Sequence, residues 1–400
     1  VVCRKSFRFR VYPTKEQRAT LARWQDALRF LWNLALEQRL IALGHPRHDR
    51  KYLTSFDQIN QLTELRAELP WLAEVPRNVC AQLLVELDKA WQRCFAKISR
   101  QPRWKCKDRD LAPLCEPHRK VWSLDAEGLH FPKLGTMRIV EHRRLEGISK
   151  TCSLVQEVDQ WFVAISCEVE QKVSPKVAPV VALDRGCVNL VADSDGRLVE
   201  NPHFFRVMGL RIARAQRVVS RRKKGSHNRE KAKIRVAKLY RKVSRQRSYV
   251  LHQISHDYAN SHGTVVVEKL NVRAMSTKGG SHKTGLNRSI LDSGWSQLMS
   301  MLRYKLAWSG GYLVEVPAAY SSQTCSVCGV VDPKSRLSQS VFVCTSCGHR
   351  DHADLNAAKV LLSRVKRSAL PVEGLPPEGA HRSRKRLNVP KGRSPESSAL

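Results

Sequence analysis

Apolar and polar residues alternate through Phe7-Arg-Phe-Arg-Val-Tyr12, the period of a half-buried strand, and Pro13 stops it. Thr14-Lys-Glu-Gln17 then has the spacing of a capping box, and Leu21, Trp24, Leu28, Leu31 and Ala35 recur with helical period as far as the break at Gly44-His-Pro46. Leu84, Leu87, Trp91 and Phe95 mark a further helix. Residues 14–100 therefore read as a small helical bundle, with Trp24 and Trp91 on apolar faces that assign them to its core. From 101 to 178 short alternating stretches take over, among them Gly128-Leu-His-Phe, Gly135-Thr-Met-Arg-Ile-Val and Gln160-Trp-Phe-Val-Ala-Ile. This is a β-rich region, and the strand within residues 1–13 is expected to join it across the helical insertion. Beyond Pro179 the pattern gives a strand and hairpin over 180–199, basic helices, a strand at 263–268 and an amphipathic helix from Trp295 to Trp308. A strand at 312–317, a cysteine-rich loop and a last helix over 354–362 follow. Strands interleaved with helices predict an α/β domain, so the whole chain reads as multidomain α+β.

Charge sharpens that outline. Lys and Arg number 70 against 36 Asp and Glu, a net +34, which points to a polyanionic partner. With 42% hydrophobic residues and nine Trp the chain is no histone-like tail, and it can bury real cores. No run approaches the roughly 18 apolar residues of a membrane span, and the N-terminus lacks the apolar stretch of a signal peptide, so a cytoplasmic protein is expected. The start at Val1 reads as a non-Met codon or a trimmed terminus.

The excess charge is concentrated. Residues 206–247 carry seventeen basic residues against one acid, with Leu210, Ala213, Val218, Ile234, Ala237 and Leu239 at helical spacing around a Gly225-Ser-His-Asn break. The pattern is a basic helical hairpin. A charge run is usually a solvated face, but one this uniform repels itself without a counter-ion partner. Arg217, Arg221, Arg222, Lys223, Lys224, Lys231, Lys238 and Arg241 are the nucleic-acid contacts read from it. Residues 365–400, rich in Pro, Gly, Ser and Arg without apolar period, read as a disordered basic tail.

Two groups of residues carry chemistry. Cys325-Ser-Val-Cys328-Gly and Cys344-Thr-Ser-Cys347-Gly form two C-x-x-C-G knuckles fifteen residues apart, the spacing of a closed four-cysteine zinc ribbon spanning 321–350. The other eight cysteines follow no paired spacing, as free thiols in a reducing compartment do, and Cys106, Cys115 and His118 match no metal pattern. The second group is acidic. Val180-Val-Ala-Leu-Asp184-Arg-Gly and Thr264-Val-Val-Val-Glu268 each end a short apolar run on an acid, and Asp351-His-Ala-Asp354 opens a helix, where the dipole also favours one. Each alone is an ordinary turn or helix-start acid. Three on one α/β domain beside a basic insertion suggest a cluster that chelates two Mg²⁺ ions, the oxygen-ligand chemistry of phosphodiester hydrolysis.

In the contexts VVALDRG, TVVVEKLNV and DHADLNAA, Asp184, Glu268 and Asp354 resemble the three motifs of a RuvC-like nuclease domain of RNase H-type fold. A ribbon just before the third motif is similar to that of the transposon-encoded TnpB proteins, as are the segments Leu286–Trp295, Val316–Cys325 and FRFRVYPTKEQ. The resemblance covers the chain except part of 101–178. It implies a wedge-like, barrel-like β domain (1–13 and 101–178), an inserted helical recognition lobe (14–100) and a nuclease domain (179–320 and 351–364). It further implies an RNA-guided, Mg²⁺-dependent DNA endonuclease whose partners are a guide RNA and double-stranded target DNA, with a monomer favoured. A heteroduplex of about 20 bp carries about 40 phosphates, so +34 is of the right order to hold one. A miniature type V CRISPR effector, a nuclease-inactive RNA-guided repressor and a DNA-strand transposase are the alternative readings. Intact Asp184, Glu268 and Asp354 weigh against the repressor, and the ribbon and N-terminal lobe against the transposase.

Overall fold

The computed structural model describes residues 2–44, 52–107, 109–171, 173–176, 178–277 and 280–367. In chain order these form β1 (Val2–Tyr12), α1 (Lys15–Gly44), α2 (Ser55–Glu68), α3 (Pro70–Ala73), α4 (Arg77–Phe95), β2 (Leu114–Glu116), β3 (Ser123–Asp125), β4 (Gly128–Phe131), β5 (Gly135–Val140), β6 (Ile148–Glu157) and β7 (Gln160–Glu170). There follow β8 (Val180–Asp184), β9 (Asn189–Asp193), β10 (Leu198–Glu200), α5 (Phe204–Arg221), α6 (His227–Ser261), β11 (Thr264–Lys269), α7 (Val272–Met275), α8 (Ser281–Ser293), α9 (Trp295–Ser309), β12 (Tyr312–Pro317), β13 (Val341–Val343), β14 (Arg350–His352) and α10 (Ala353–Arg367).

The first strand is longer than its alternation suggests, and it lies inside a curled seven-stranded sheet of order β2-β6-β7-β1-β5-β4-β3. It pairs antiparallel with β7 from Val2↔Glu170 to Val11↔Trp161 and with β5 at Arg10↔Val140. Its period of two turns Phe7, Phe9 and Val11 inward and Arg8 and Arg10 outward. The inward residues share one core with Leu21, Trp24, Leu28, Leu84 and Trp91 of the helices. Trp24 and Trp91 are buried there, as their apolar faces require.

The second sheet has the order β10-β9-β8-β11-β12, three antiparallel strands followed by a parallel run, as an RNase H-type fold requires. Val181 and Leu183 point to the face covered by α6 and α9, with Leu251, Tyr258, Leu298, Leu302 and Leu306. Ala182, Val266 and Val316 point to the opposite face, packed on Leu361 and Val365 of α10. Helices therefore cover both faces of this sheet.

Two further boundaries differ from the sequence reading. The last helix runs to Arg367, three residues into the segment assigned to the tail, because Val365 still packs against the sheet. Residues 368–400 lie outside the described residues. The last basic helix extends to Ser261, since its C-terminal turns bury Leu251, Ile254 and Tyr258 beneath β8 and β11.

Candidate nuclease centre and metal ribbon

The period of two decides where the acids go. Asp184 has the parity of Ala182, and Glu268 has the parity of Val266, so both belong to the face that α10 covers. β8 and β11 pair in parallel up to Leu183↔Val267, which makes Asp184 and Glu268 neighbours one step beyond the last paired register. Asp354 sits in the first turn of α10 on the same face. Three segments separated by more than eighty residues in the chain thus supply carboxylates to one place.

Glu268 and Asp354 are buried and Asp184 half-buried. Burial, then the charges of Glu268 and Asp354, push the Asp184 carboxyl up to about 8, while Arg336 and Arg185 oppose the rise. Burial also raises Glu268, with Arg185 opposing. Asp354 is held by Asn189, whose Nδ2 donates to Oδ2 at 3.0 Å, and by Arg336, whose Nη2 donates to Oδ1 at 3.2 Å. The turn between β8 and β9 is tight enough that a Cβ on Gly186 would lie 2.6 Å from the carbonyl oxygen of Asn189. That turn delivers Arg185 and Asn189 to the centre. Sequence reasoning singles out neither of them, nor Arg336; Arg185 adjoins the first acid, but nothing local to Arg336 marks it.

The four cysteines converge. All their sulfurs lie within 4.8 Å of one another, with Cys325 Sγ–Cys347 Sγ at 3.7 Å and Cys328 Sγ–Cys344 Sγ at 3.5 Å. A tetrahedron with metal–sulfur bonds of about 2.3 Å has edges of about 3.8 Å, so the thiols fit one ion with no open position. The knuckles share one fold: Gly329 N–H donates to Cys325 O at 3.0 Å and Gly348 N–H to Cys344 O at 3.1 Å, each glycine at positive φ. The backbone N–H of Cys347 draws the Cys344 thiol down to about 6, while the neighbouring sulfurs push its hydrogen-bonded partner Cys328 up, so the two share a proton that a metal would displace. Among the described residues the carboxylates form no comparably tight group, and Arg185 and Arg336 stand among them.

Ribbon and carboxylates are joined physically. Asn356 on α10 is fully buried, accepting from Ser326 N–H at 2.9 Å and donating to Thr324 O at 2.8 Å. Phe342, Cys325, Cys344 and Ala353 pack together, so the helix bearing Asp354 grows out of the ribbon.

The basic hairpin is α5 and α6, packed through Phe204, Met208, Ile212 and Val243. Arg217, Arg221, Arg222, Lys223, Lys224 and Lys231 reach solvent and make no ion pair among the described residues. Lys238 and Arg241 are engaged instead with Asp159 in the β6–β7 turn, at 2.8 and 3.0 Å, and Arg245 with Glu157 at 3.0 Å. Lys238 and Arg241, expected to touch nucleic acid, also tie the hairpin to the first sheet. Arg211, Arg214 and Arg235, which the sequence reading passes over, line a cleft of about 500 Å³ between the two helices.

Comparison with known proteins places the chain among relatives. Residues 147–278 match a family described as "Probable transposase", 3–43 a "Helix-turn-helix domain" and 295–361 a "Cas12f1-like, TNB domain". The chain is 32% identical over 376 residues to "Putative RNA-guided DNA endonuclease InsQ" of Escherichia coli (strain K12), covering 90% of this chain and 92% of that protein. It is 33% identical over 380 residues to "Putative RNA-guided DNA endonuclease" of Streptomyces pristinaespiralis, covering 94% and 92%. The fold is shared with the protein of "Cryo-EM structure of the Cas12f1-sgRNA-target DNA complex", at TM-score 0.58 and 13% identity, over 90% of this chain and 98% of that one. Carboxylates on two strand ends and a helix start, a four-cysteine ribbon feeding that helix, and identity above 30% over nine tenths of the chain lead to one conclusion: the protein belongs to the TnpB family.

Proposed function

We propose that the protein is an RNA-guided DNA endonuclease that cleaves DNA complementary to a guide RNA by metal-dependent hydrolysis. The observation that carries this reading is the convergence of Asp184, Glu268 and Asp354 on the face beneath α10. The names of the relatives support the guided activity.

The residues of the centre fit Mg²⁺. They offer carboxylate oxygens, the ligands of a hard divalent cation, and burial raises Asp184 and Glu268 despite the nearby Arg185 and Arg336. When bound, Mg²⁺ supplies an acidified water as nucleophile and neutralises charge on the phosphate and the leaving oxygen. Asp184, Glu268 and Asp354 would hold it. Asn189 fixes the rotamer of Asp354. Arg336 places a guanidinium against the same carboxylate, where it can also meet a phosphate oxygen. The ribbon would hold one structural Zn²⁺ and so keep Arg336 and α10 in register.

In this reading, 1–13 with 101–178 form the wedge domain and 14–100 the recognition lobe. Residues 179–320 and 351–364 form the nuclease domain, 206–247 the duplex-holding insertion and 321–350 the ribbon. The protein acts as a cytoplasmic monomer, and base pairing selects sequence while the hairpin cations hold phosphates. The test is to sequence the RNA that copurifies with the protein. Plasmids carrying the matching target beside randomised flanks are then challenged with and without Mg²⁺. A discrete RNA and Mg²⁺-dependent cuts are expected. Absence of a discrete RNA overturns the guided reading, and cutting that persists in Asp184→Ala overturns the assigned centre.

A further inference from the structure

Arg185 follows the first carboxylate, and the fold turns it inward. It is 6% exposed, an unusual place for a guanidinium without an ion-pair partner: among the described residues no carboxylate oxygen lies within ion-pairing distance of it. Its Nη2 instead donates to the backbone carbonyl of Glu268, across the gap between β8 and β11. Its Nε–H is buried and has no acceptor. The charges acting on it are, in order, Glu268, Asp184 and Glu315.

The place of that bond in the sheet matters. The β8–β11 ladder has its last registered pair at Leu183↔Val267. One residue further on stand Asp184 and Glu268, and there the Arg185 side chain provides the link between the two strand ends. On their outer sides both ends stay paired, Glu268 with Val316 of β12 and Asp184 with Ala192 of β9; between them the ladder has stopped, and the tie from Arg185 to the Glu268 carbonyl fixes how far apart the two ends sit. A surface cation could have supplied counter-charge without the desolvation that burial imposes.

We infer that Arg185 is a positioning residue that holds the ends of β8 and β11 together so that the Asp184 and Glu268 carboxylates stay side by side as divalent-metal ligands. The inference rests on the carboxylates being the divalent-metal site. Positioning and plain charge balance predict opposite effects. If Arg185 acted only through its charge, its removal would leave the acids more negative and tighten cation binding. If it sets the spacing of Asp184 and Glu268, removal weakens binding despite that gain.

The experiment uses the full chain with its copurified RNA, stripped of divalent ions and titrated calorimetrically with Mn²⁺ alone. Arg185→Met removes charge and tie; Arg185→Lys keeps the charge without the planar fork. Both are expected to weaken Mn²⁺ binding by about 10- to 100-fold. Metal-free melting and RNA content should stay as in the parent, and cleavage should return at correspondingly higher Mn²⁺. Binding by Arg185→Met equal to or tighter than the parent, or binding by Arg185→Lys equal to the parent, overturns the inference. If either variant fails to fold, Arg185→Gln, which keeps an N–H donor without charge, is judged against the parent by the same criterion. Parent binding that Asp184→Asn leaves unchanged would instead overturn the metal centre itself.

Discussion

Asp184 shows how much a neighbourhood changes one side chain. Burial and two nearby acids raise its carboxyl far above the ordinary range, so the folded protein binds that proton more tightly than the unfolded chain does. In the absence of divalent ions, stability should therefore fall as pH rises from about 4 towards about 8, then level off. Thermal melting in a chelating buffer across that window checks the sign, and added Mg²⁺ should flatten the slope. Asp184→Asn should raise the metal-free midpoint at pH 8 by roughly 2–4 °C, the equivalent of about 1 kcal/mol, while abolishing cleavage. Arg336→Ala leaves Asp354 without its cation and should lower the cleavage rate by about 10²- to 10³-fold in single-turnover assays, with RNA content unchanged. The acids are legible in sequence because an apolar run that ends on a carboxylate is conspicuous. Arg336, Arg185 and Asn189 are not, because arginine and asparagine in loops are ordinary and only proximity gives them a role.

At the scale of elements, the hairpin divides its cations between two tasks. The cations of its tip, from Arg217 to Lys224, are exposed and make no ion pair among the described residues, whereas Lys238, Arg241 and Arg245 grip the β6–β7 turn. Replacing Arg217, Arg221, Arg222, Lys223 and Lys224 by Gln should weaken nucleic-acid binding and lower the salt slope by about 0.9 for each duplex phosphate no longer neutralised, with the melting midpoint unchanged. Titrations across a range of salt measure this. The base of the hairpin is different. Asp292 accepts from Phe205 N–H at 2.9 Å and from Arg247 Nη2 at 2.6 Å, joining α8 to both hairpin helices. Asp292→Ala strands a largely buried guanidinium and should cost about 3–5 kcal/mol, seen in denaturant titration. The hairpin is readable from apolar residues at helical spacing in a basic run. Its docking is not, since Lys238 and Arg241 look like every other cation until Glu157 and Asp159 are folded against them.

For the whole molecule the ribbon is the part on which the others converge. It holds Arg336 against Asp354, buries Phe342 against Ala353 and is pinned to α10 by Asn356. One equivalent of zinc is expected by elemental analysis. Its removal by a chelator, or the Cys325→Ser substitution, should abolish cleavage while the seven-stranded sheet and its helices keep their circular dichroism and RNA content. Loss of that sheet together with the zinc would show that the metal supports the entire fold instead of the third carboxylate.

What the chain determines by itself is local. Alternation in 2–12 makes a strand, C-x-x-C-G knuckles make metal-binding turns, and an acid after Val-Val-Ala-Leu ends a strand at the rim of a sheet, because each follows from the geometry of a few consecutive residues. Tertiary structure alone decided that Asp184 and Glu268 face α10, that Arg336 reaches Asp354 from inside the ribbon, and that Arg185 ties two strand ends together. Those meetings join residues from eighteen to more than eighty positions apart, and no local period encodes a meeting that depends on how separate elements pack.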